Sequence, residues 1–480
     1  MSSLKEKTAK GLFWGAVNSG STQLLNVVIG VCLARLLDLS DYGIVGMLTI
    51  FTAIAGNLQD SGFSTALINL PKIRHRDYNA VFWFGVSVST ILYVILFFCA
   101  PLIADFFHQP SLIPLSRFVF LSFVLASLGI PHSAYMIRNF MNKEKALMGF
   151  VALLVSGGVG ILLAFRGYGY WSLAWQQLLF ILVLDIGRLY YTRWLPTFEF
   201  DFAPIRSMFG FSNKILITTV ISTISNNFLT FIFGHLFTSK TVGSFTQAYK
   251  WDMMGYSLIS NTVAQVAQPV FAQVGGDNAR LKGVFRKMVR FTAFLSFPLM
   301  FGLCIVSKEF IVVAIGAKWM ASVPLLQILC VSGAFFPFYT LYQNLAISHS
   351  RSDILMWCNV GQIALQLVLV FISAPYGIQA MVVVYSLFNI VWLGVWQYVA
   401  KRLVGITLLD MLRDVAPFLL ASLAIMGLTY VVTLPIHSLL PLLIVRILLA
   451  AGLYFAVMKV AHVAILEESL AYLGIRKKQK

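Results

Sequence analysis

The chain has 480 residues, of which 59% are hydrophobic and 11% charged. Soluble domains carry roughly a quarter charged residues, so a soluble fold is excluded and an all-helical membrane bundle, whose segments satisfy their own backbone hydrogen bonds in lipid, is expected. The net charge of +17 is spread over many loops rather than one patch, which argues against nucleic-acid binding and for basic cytoplasmic loops.

The N-terminus is basic at Lys5, Lys7 and Lys10, and the long, polar-flecked segment behind it reads as a retained first helix rather than a cleaved signal. A membrane span needs about 20 apolar residues. That length predicts fourteen spans, centred near residues 24, 55, 92, 126, 156, 180, 225, 258, 296, 335, 363, 388, 424 and 451.

Four of these spans carry polar stripes. In the first, Trp14, Asn18, Thr22 and Asn26 recur every four residues and share a helical face. The second carries Asn57, Gln59, Asp60 and Ser61. The seventh carries Lys214, Thr218, Ser222, Ser225, Asn226 and Asn227. The eighth carries Gln247, Tyr249, Lys250 and Asp252, then Asn261, Gln265 and Gln268. Lys250 and Asp252 lie too close in sequence to share a face, so they are not expected to be a mutual pair. Arg35 and Lys214 lie near span ends, within snorkelling reach of the interface. Arg446 lies deep in span 14 and calls for a carboxylate partner that the sequence does not identify.

With both termini inside, 27 of the 35 Lys and Arg fall on the cytoplasmic side and six outside. A missed span would invert everything downstream of it, so this alternation supports the count and an N-in/C-in topology. An internal repeat appears at an offset of about 200: Asn26 with Asn226, Leu36 with Leu236, Gly43 with Gly243, and later Pro131 with Pro337. The expected architecture is two parallel-repeat six-helix lobes plus two extra helices. Spans 1–6 occupy residues 1–195, spans 7–12 residues 196–402, and spans 13–14 with a basic cytoplasmic tail residues 403–480.

No phosphate loop, clustered metal ligands or nucleophile elbow occurs, so no enzyme is expected. The five cysteines (Cys32, Cys99, Cys304, Cys330, Cys358) lack metal-ligand spacing and read as small core residues. Polar groups inside spans either glue helices together or line a wet cavity. Their clustering on spans 1, 2, 7 and 8 favours the cavity. Asn18, Asn26, Arg35, Gln59, Asp60, Lys214, Asn226, Asn227, Tyr249, Lys250, Asp252, Gln265 and Arg446 are the candidate lining residues. Cations attract phosphate and amides bond to sugar hydroxyls, so such a lining suits an anionic, sugar-bearing cargo.

Several stretches carry a family likeness: Gln59-Asp60-Ser61-Gly62-Phe63, Gly243–Lys250, Gly316-Ala317-Lys318-Trp319 with Pro324–Leu329, and Arg351-Ser352-Asp353. With them the chain resembles the Wzx-type O-unit flippases, nearest the colanic-acid-exporter-like subgroup. These belong to the multidrug/oligosaccharidyl-lipid/polysaccharide exporter superfamily. It departs from the family at Asn227, where an Asp is common, and at His349 or Ser350, where a Gly is common.

The resemblance implies flipping of undecaprenyl-diphosphate-linked oligosaccharide repeats across a bacterial inner membrane by alternating access. It also implies membrane lipids as surroundings and a polysaccharide polymerase and chain-length machinery as further partners. No cofactor is expected, and a coupling ion, H+ or Na+, is left open. A cation-coupled multidrug exporter of the same superfamily is the alternative, and a membrane glycan polymerase a third reading.

Overall fold

A computed structural model describes residue 20 and residues 22–472 except 61, 62, 71, 72, 140, 275, 276 and 350. Every element among the described residues is helical. Among the described residues, eight helical stretches are long and apolar enough to cross a membrane, or nine if the bent pair Leu112–Leu128 and Ile130–Arg138 is one span. Their outer faces are what lipid requires: Phe98 is 72% exposed and Val391 73%. The chain is a multi-pass membrane protein. It divides into two compact units, Met1–Gly243 and Ser244–Lys480.

The first unit contains α1 (Thr22–Leu36), α2 (Leu39–Asp60), α3 (Phe63–Asn69), α4 (His75–Phe106), α5 (Leu112–Leu128), α6 (Ile130–Arg138), α7 (Asn142–Phe165), α8 (Trp171–Thr192) and α9 (Ala203–Leu236). Helix α2 packs on α5 and α9, α4 on α5, and α7 on both α8 and α6. Phe51 of α2 anchors the centre, with ring centroids 6.1 Å from Phe120 of α5 and 6.0 Å from Phe231 of α9. Small residues let α7 and α8 approach: a Cβ at Gly187 would sit 2.8 Å from Met148, and one at Gly160 3.1 Å from Gln176. With 32 residues, α4 extends roughly 48 Å at 1.5 Å per residue, beyond a hydrocarbon core of about 30 Å.

The turns that start α2 and the next helix, α10 (Ser239–Val274), are built alike. Asp38 donates its backbone N–H to the Asp41 carboxylate at 2.9 Å. Thr238 and Thr241, 200 positions on, join hydroxyls at 3.1 Å. The two turns cross reciprocally: a Cβ on Gly43 would strike the Ser239 carbonyl, and one on Gly243 the Leu39 carbonyl. Only glycine permits backbone this close.

The second unit holds most of α10, then α11 (Asn278–Ile315), α12 (Ser322–Gly333), α13 (Phe336–Ser348), α14 (Ser352–Ser373), α15 (Gly377–Val404), α16 (Leu408–Val432), α17 (Leu439–Val460) and α18 (Ala464–Tyr472). Helix α11 is its spine, packing against α12, α13, α16 and α17. Helices α14 and α15 form a hairpin that turns at Gly377, whose φ of +85° suits glycine. A network of ion pairs ties α11 to α16: Lys282 to Asp410 at 3.3 Å, Arg286 to Asp414 at 2.6 Å and to Asp410 at 3.5 Å, and Arg290 to Asp414 at 3.7 Å.

Each unit contains a broken helix, for the same local reason. Pro131 stands in the first turn of α6 and Pro337 in the first turn of α13. Proline lacks the N–H that a helix interior needs and is tolerated where that group has no partner anyway. In the first unit the halves bend by 43°. In the second, the Ala334 carbonyl freed at the break accepts a hydrogen bond from Ser296 of α11 at 2.7 Å.

Candidate functional site

Of the residues singled out in the sequence, Asn18 lies outside the described residues, as do the side chains of Gln59, Asp60, Lys214 and Asn226. Asn26 is half-buried on α1, and Arg35 is exposed near its end. Asn227 returns its amide to its own helix, donating to the Thr223 carbonyl at 2.9 Å. Gln265 is exposed on α10.

Tyr249, Lys250 and Asp252 are brought together on the first half of α10, and their surroundings differ sharply. Tyr249 stacks on Phe245 with centroids 5.7 Å apart. The Lys250 ammonium lies 5.8 Å from the centroid of the Trp251 ring, and no ion pair joins it to a carboxylate among the described residues. Asp252, two positions on, is fully buried. Successive residues on a helix project about 100° apart, which separates these two charges. Gln247 is also fully buried, and neither atom of its amide has a hydrogen-bond partner. The segment Gly243–Asp252 therefore concentrates uncompensated polarity on one helix.

A hydrogen-bonded polar core stands beside it in the second unit. Tyr339 donates to the Asn389 carbonyl at 2.6 Å, and Gln362 to the Asn389 side chain at 2.9 Å. Tyr342 donates to Gln397 at 2.7 Å, and Gln397 in turn to the Ile406 carbonyl at 3.0 Å. These groups glue α13, α14 and α15 together.

Arg446 is buried in the second unit, 2.9 Å from Glu309 of α11. It also donates to the Ile305 carbonyl and to Thr433, each at 3.0 Å. Glu309 is the carboxylate that its depth demanded. Beside the pair, α11, α16 and α17 border a half-open cavity of about 580 Å³. Pro298, Leu303, Met426, Ala450 and Tyr454 help line it, so its wall is almost wholly apolar.

A cluster in the first unit escaped the sequence reading. Asp185 and Arg188 of α8 pair at 2.8 Å. His132 of α6 meets the Thr192 hydroxyl at 2.6 Å. Gly129, at the α5–α6 break, leaves the room that Asp185 and Arg188 occupy. The i, i+3 spacing of Asp185 and Arg188 was a readable signal, but the glycine 56 positions away that admits them was not.

The profile of a polysaccharide biosynthesis protein family matches residues 32–324. The chain is similar to the lipopolysaccharide biosynthesis protein WzxC of Escherichia coli, with 26% identity over 75% of this chain and 73% of that one. It is also similar to the teichuronic acid biosynthesis protein TuaB of Bacillus subtilis, with 24% identity over 84% and 83%. Among solved structures, an inward closed conformation of the lipid II flippase MurJ superposes with a TM-score of 0.79 at 13% identity, covering 95% of this chain and all of that one. An inward-facing multidrug resistance transporter of the MATE family gives a TM-score of 0.64 at 16% identity, over 80% of this chain and 94% of that one. At these identities the superpositions establish a shared fold.

Proposed function

The chain belongs to the polysaccharide biosynthesis protein family, and we propose that it flips undecaprenyl-diphosphate-linked oligosaccharide repeat units across a bacterial inner membrane by alternating access. The product feeds assembly of a surface polysaccharide, with a polymerase and chain-length machinery acting downstream. The observation that carries this reading is the segment of α10 holding Gln247, Lys250 and Asp252, whose polar groups are left, among the described residues, without the partners that buried polar side chains such as Asp185, Arg446, Tyr339 and Tyr342 have. Such groups are costly in lipid and are kept where they meet a polar cargo. The relatives named for lipopolysaccharide and teichuronic acid biosynthesis and the shared fold with a lipid II flippase support the same reading. The apolar cavity among α11, α16 and α17 suits a hydrocarbon chain, as a lipid-linked cargo requires.

We further propose fourteen spans with both termini cytoplasmic. In support, α1, α2, α4, the α5–α6 pair, α7 to α11, the α12–α13 pair and α14 to α17 coincide with the fourteen hydrophobic centres.

Deletion of the gene tests the function: surface polysaccharide is lost while lipid-linked repeats accumulate on the cytoplasmic leaflet. Unchanged surface polysaccharide, with drug resistance on overexpression, would instead favour a multidrug exporter. At the residue level, Lys250→Ala is expected to reduce export severalfold in a complementation assay at unchanged protein level, with Lys250→Arg retaining most of it. Wild-type export by Lys250→Ala would remove this lysine from the cargo path.

A further inference from the structure

We propose that Asp252 is an enclosed proton-binding site, holding one proton in the conformation described here and coupling its release to cargo movement. The coupling half rests on the export reading above, whereas the proton site stands without it.

Four carboxylates are buried among the described residues: Asp185, Asp252, Glu309 and Asp414. Three have an arginine partner, Arg188 at 2.8 Å, Arg446 at 2.9 Å and Arg286 at 2.6 Å. Asp252 has none, and neither of its oxygens makes a hydrogen bond. The two units offer a controlled contrast. In each, a glycine beside the helix break makes room for an aspartate from a neighbouring helix: Gly129 for Asp185 and Gly333 for Asp252. The first aspartate comes with its arginine, and the second comes alone.

What surrounds Asp252 cannot neutralise it. Gly333 and Met300 wall it, since a Cβ on Gly333 would strike Oδ1 and lie 2.7 Å from the Met300 methyl. The titratable groups facing it are Tyr249 and Tyr256 on its own helix, Cys330 on α12 with Cys304 of α11 behind it, and Tyr385 on α15. None is a cation. Lys250 is turned to the Trp251 ring.

An isolated carboxylate in such a place costs several kcal/mol. No group of three or more His, Cys, Asp or Glu that could hold a metal ion is assembled among the described residues. A proton neutralises the site with no further ligand. Giving it up requires a conformation that admits water or a cation to the carboxylate, which is what links its charge state to movement of the helices around it.

Infrared difference spectroscopy of the full-length protein in lipid tests the site without cargo. Wild type is expected to show the C=O stretch of a protonated carboxyl at neutral pH, and Asp252→Asn to lack that band. An identical band in both proteins would mean that Asp252 is ionised and would overturn the proposal. For coupling, surface-polysaccharide export is measured in cells with and without an ionophore that collapses the proton gradient. Asp252→Asn, which mimics the protonated form permanently, is expected to lose gradient-driven export, while Asp252→Glu retains part of it. Wild-type export by Asp252→Asn, with the same ionophore sensitivity, would overturn the coupling. If the band behaves as expected but wild type exports no polysaccharide, the cargo reading fails and the proton site stands.

Discussion

Gly243→Val is expected to abolish export and to remove most of the folded protein from the membrane, with Gly43→Val doing the same. At both positions the obstacle to a side chain is a backbone carbonyl, of Leu39 and of Ser239 respectively. A flexible side chain could rotate away from an intruding methyl, but a carbonyl at the start of a helix moves only if the helix moves. Overpacking a side-chain contact costs about 1–3 kcal/mol, and separating two helix starts disturbs every contact that follows them. Gly394→Ala on α15 is the control, because nothing lies within 4 Å of the added Cβ. There the helix should be stabilised by about 0.5–1 kcal/mol. Gel filtration of the detergent-solubilised variants checks both: the Gly243 and Gly43 variants should lose the monodisperse peak and Gly394→Ala should keep it. A well-behaved, active Gly243→Val would mean that the two turns do not meet as described.

Glu309→Gln is expected to destabilise the second unit by about 3–5 kcal/mol, the usual effect of stranding one partner of a buried ion pair. Arg446 would then keep its charge beside the apolar cavity, supported by the Ile305 carbonyl, the Thr433 hydroxyl and the face of the Tyr430 ring 4.8 Å away, with no carboxylate. The double variant Glu309→Gln, Arg446→Met removes both charges and should recover most of the loss, since apolar replacement of a whole buried pair is often neutral. Thermal unfolding of the purified single and double variants measures this. Additive losses in the double variant would show that the pair is not the unit of stability.

The sequence was legible where a local rule acts. Apolar runs located the helices, and the repeat match of Pro131 with Pro337 fell on the break in each unit, a meaning that proline alone does not carry, since Pro101, Pro298 and Pro417 stand inside unbroken helices. The correspondence of Gly43 with Gly243 found a meaning that spacing could not supply: the two glycines belong to one reciprocal crossing. Pairing was legible in part. The depth of Arg446 announced that a carboxylate was needed, but Glu309 lies 137 positions earlier, on α11, and nothing local ties them. Lys250 and Asp252 were separable from helix geometry alone. The solitude of Asp252 was not legible, since having no partner is a property of everything packed around a residue. The His132–Thr192 contact was hidden for the same reason, resting on α6 and α8 meeting beside a break.

Transbilayer movement of cargo by the isolated protein is the direct test of flipping. Proteoliposomes are loaded with undecaprenyl-diphosphate-linked oligosaccharide, the outer-leaflet sugars are removed with an added glycosidase, and newly exposed sugar is followed over time. Steady exposure is expected with the wild-type protein, much less with Lys250→Ala, and none in protein-free vesicles. Wild-type vesicles that expose sugar no faster than protein-free ones would contradict it.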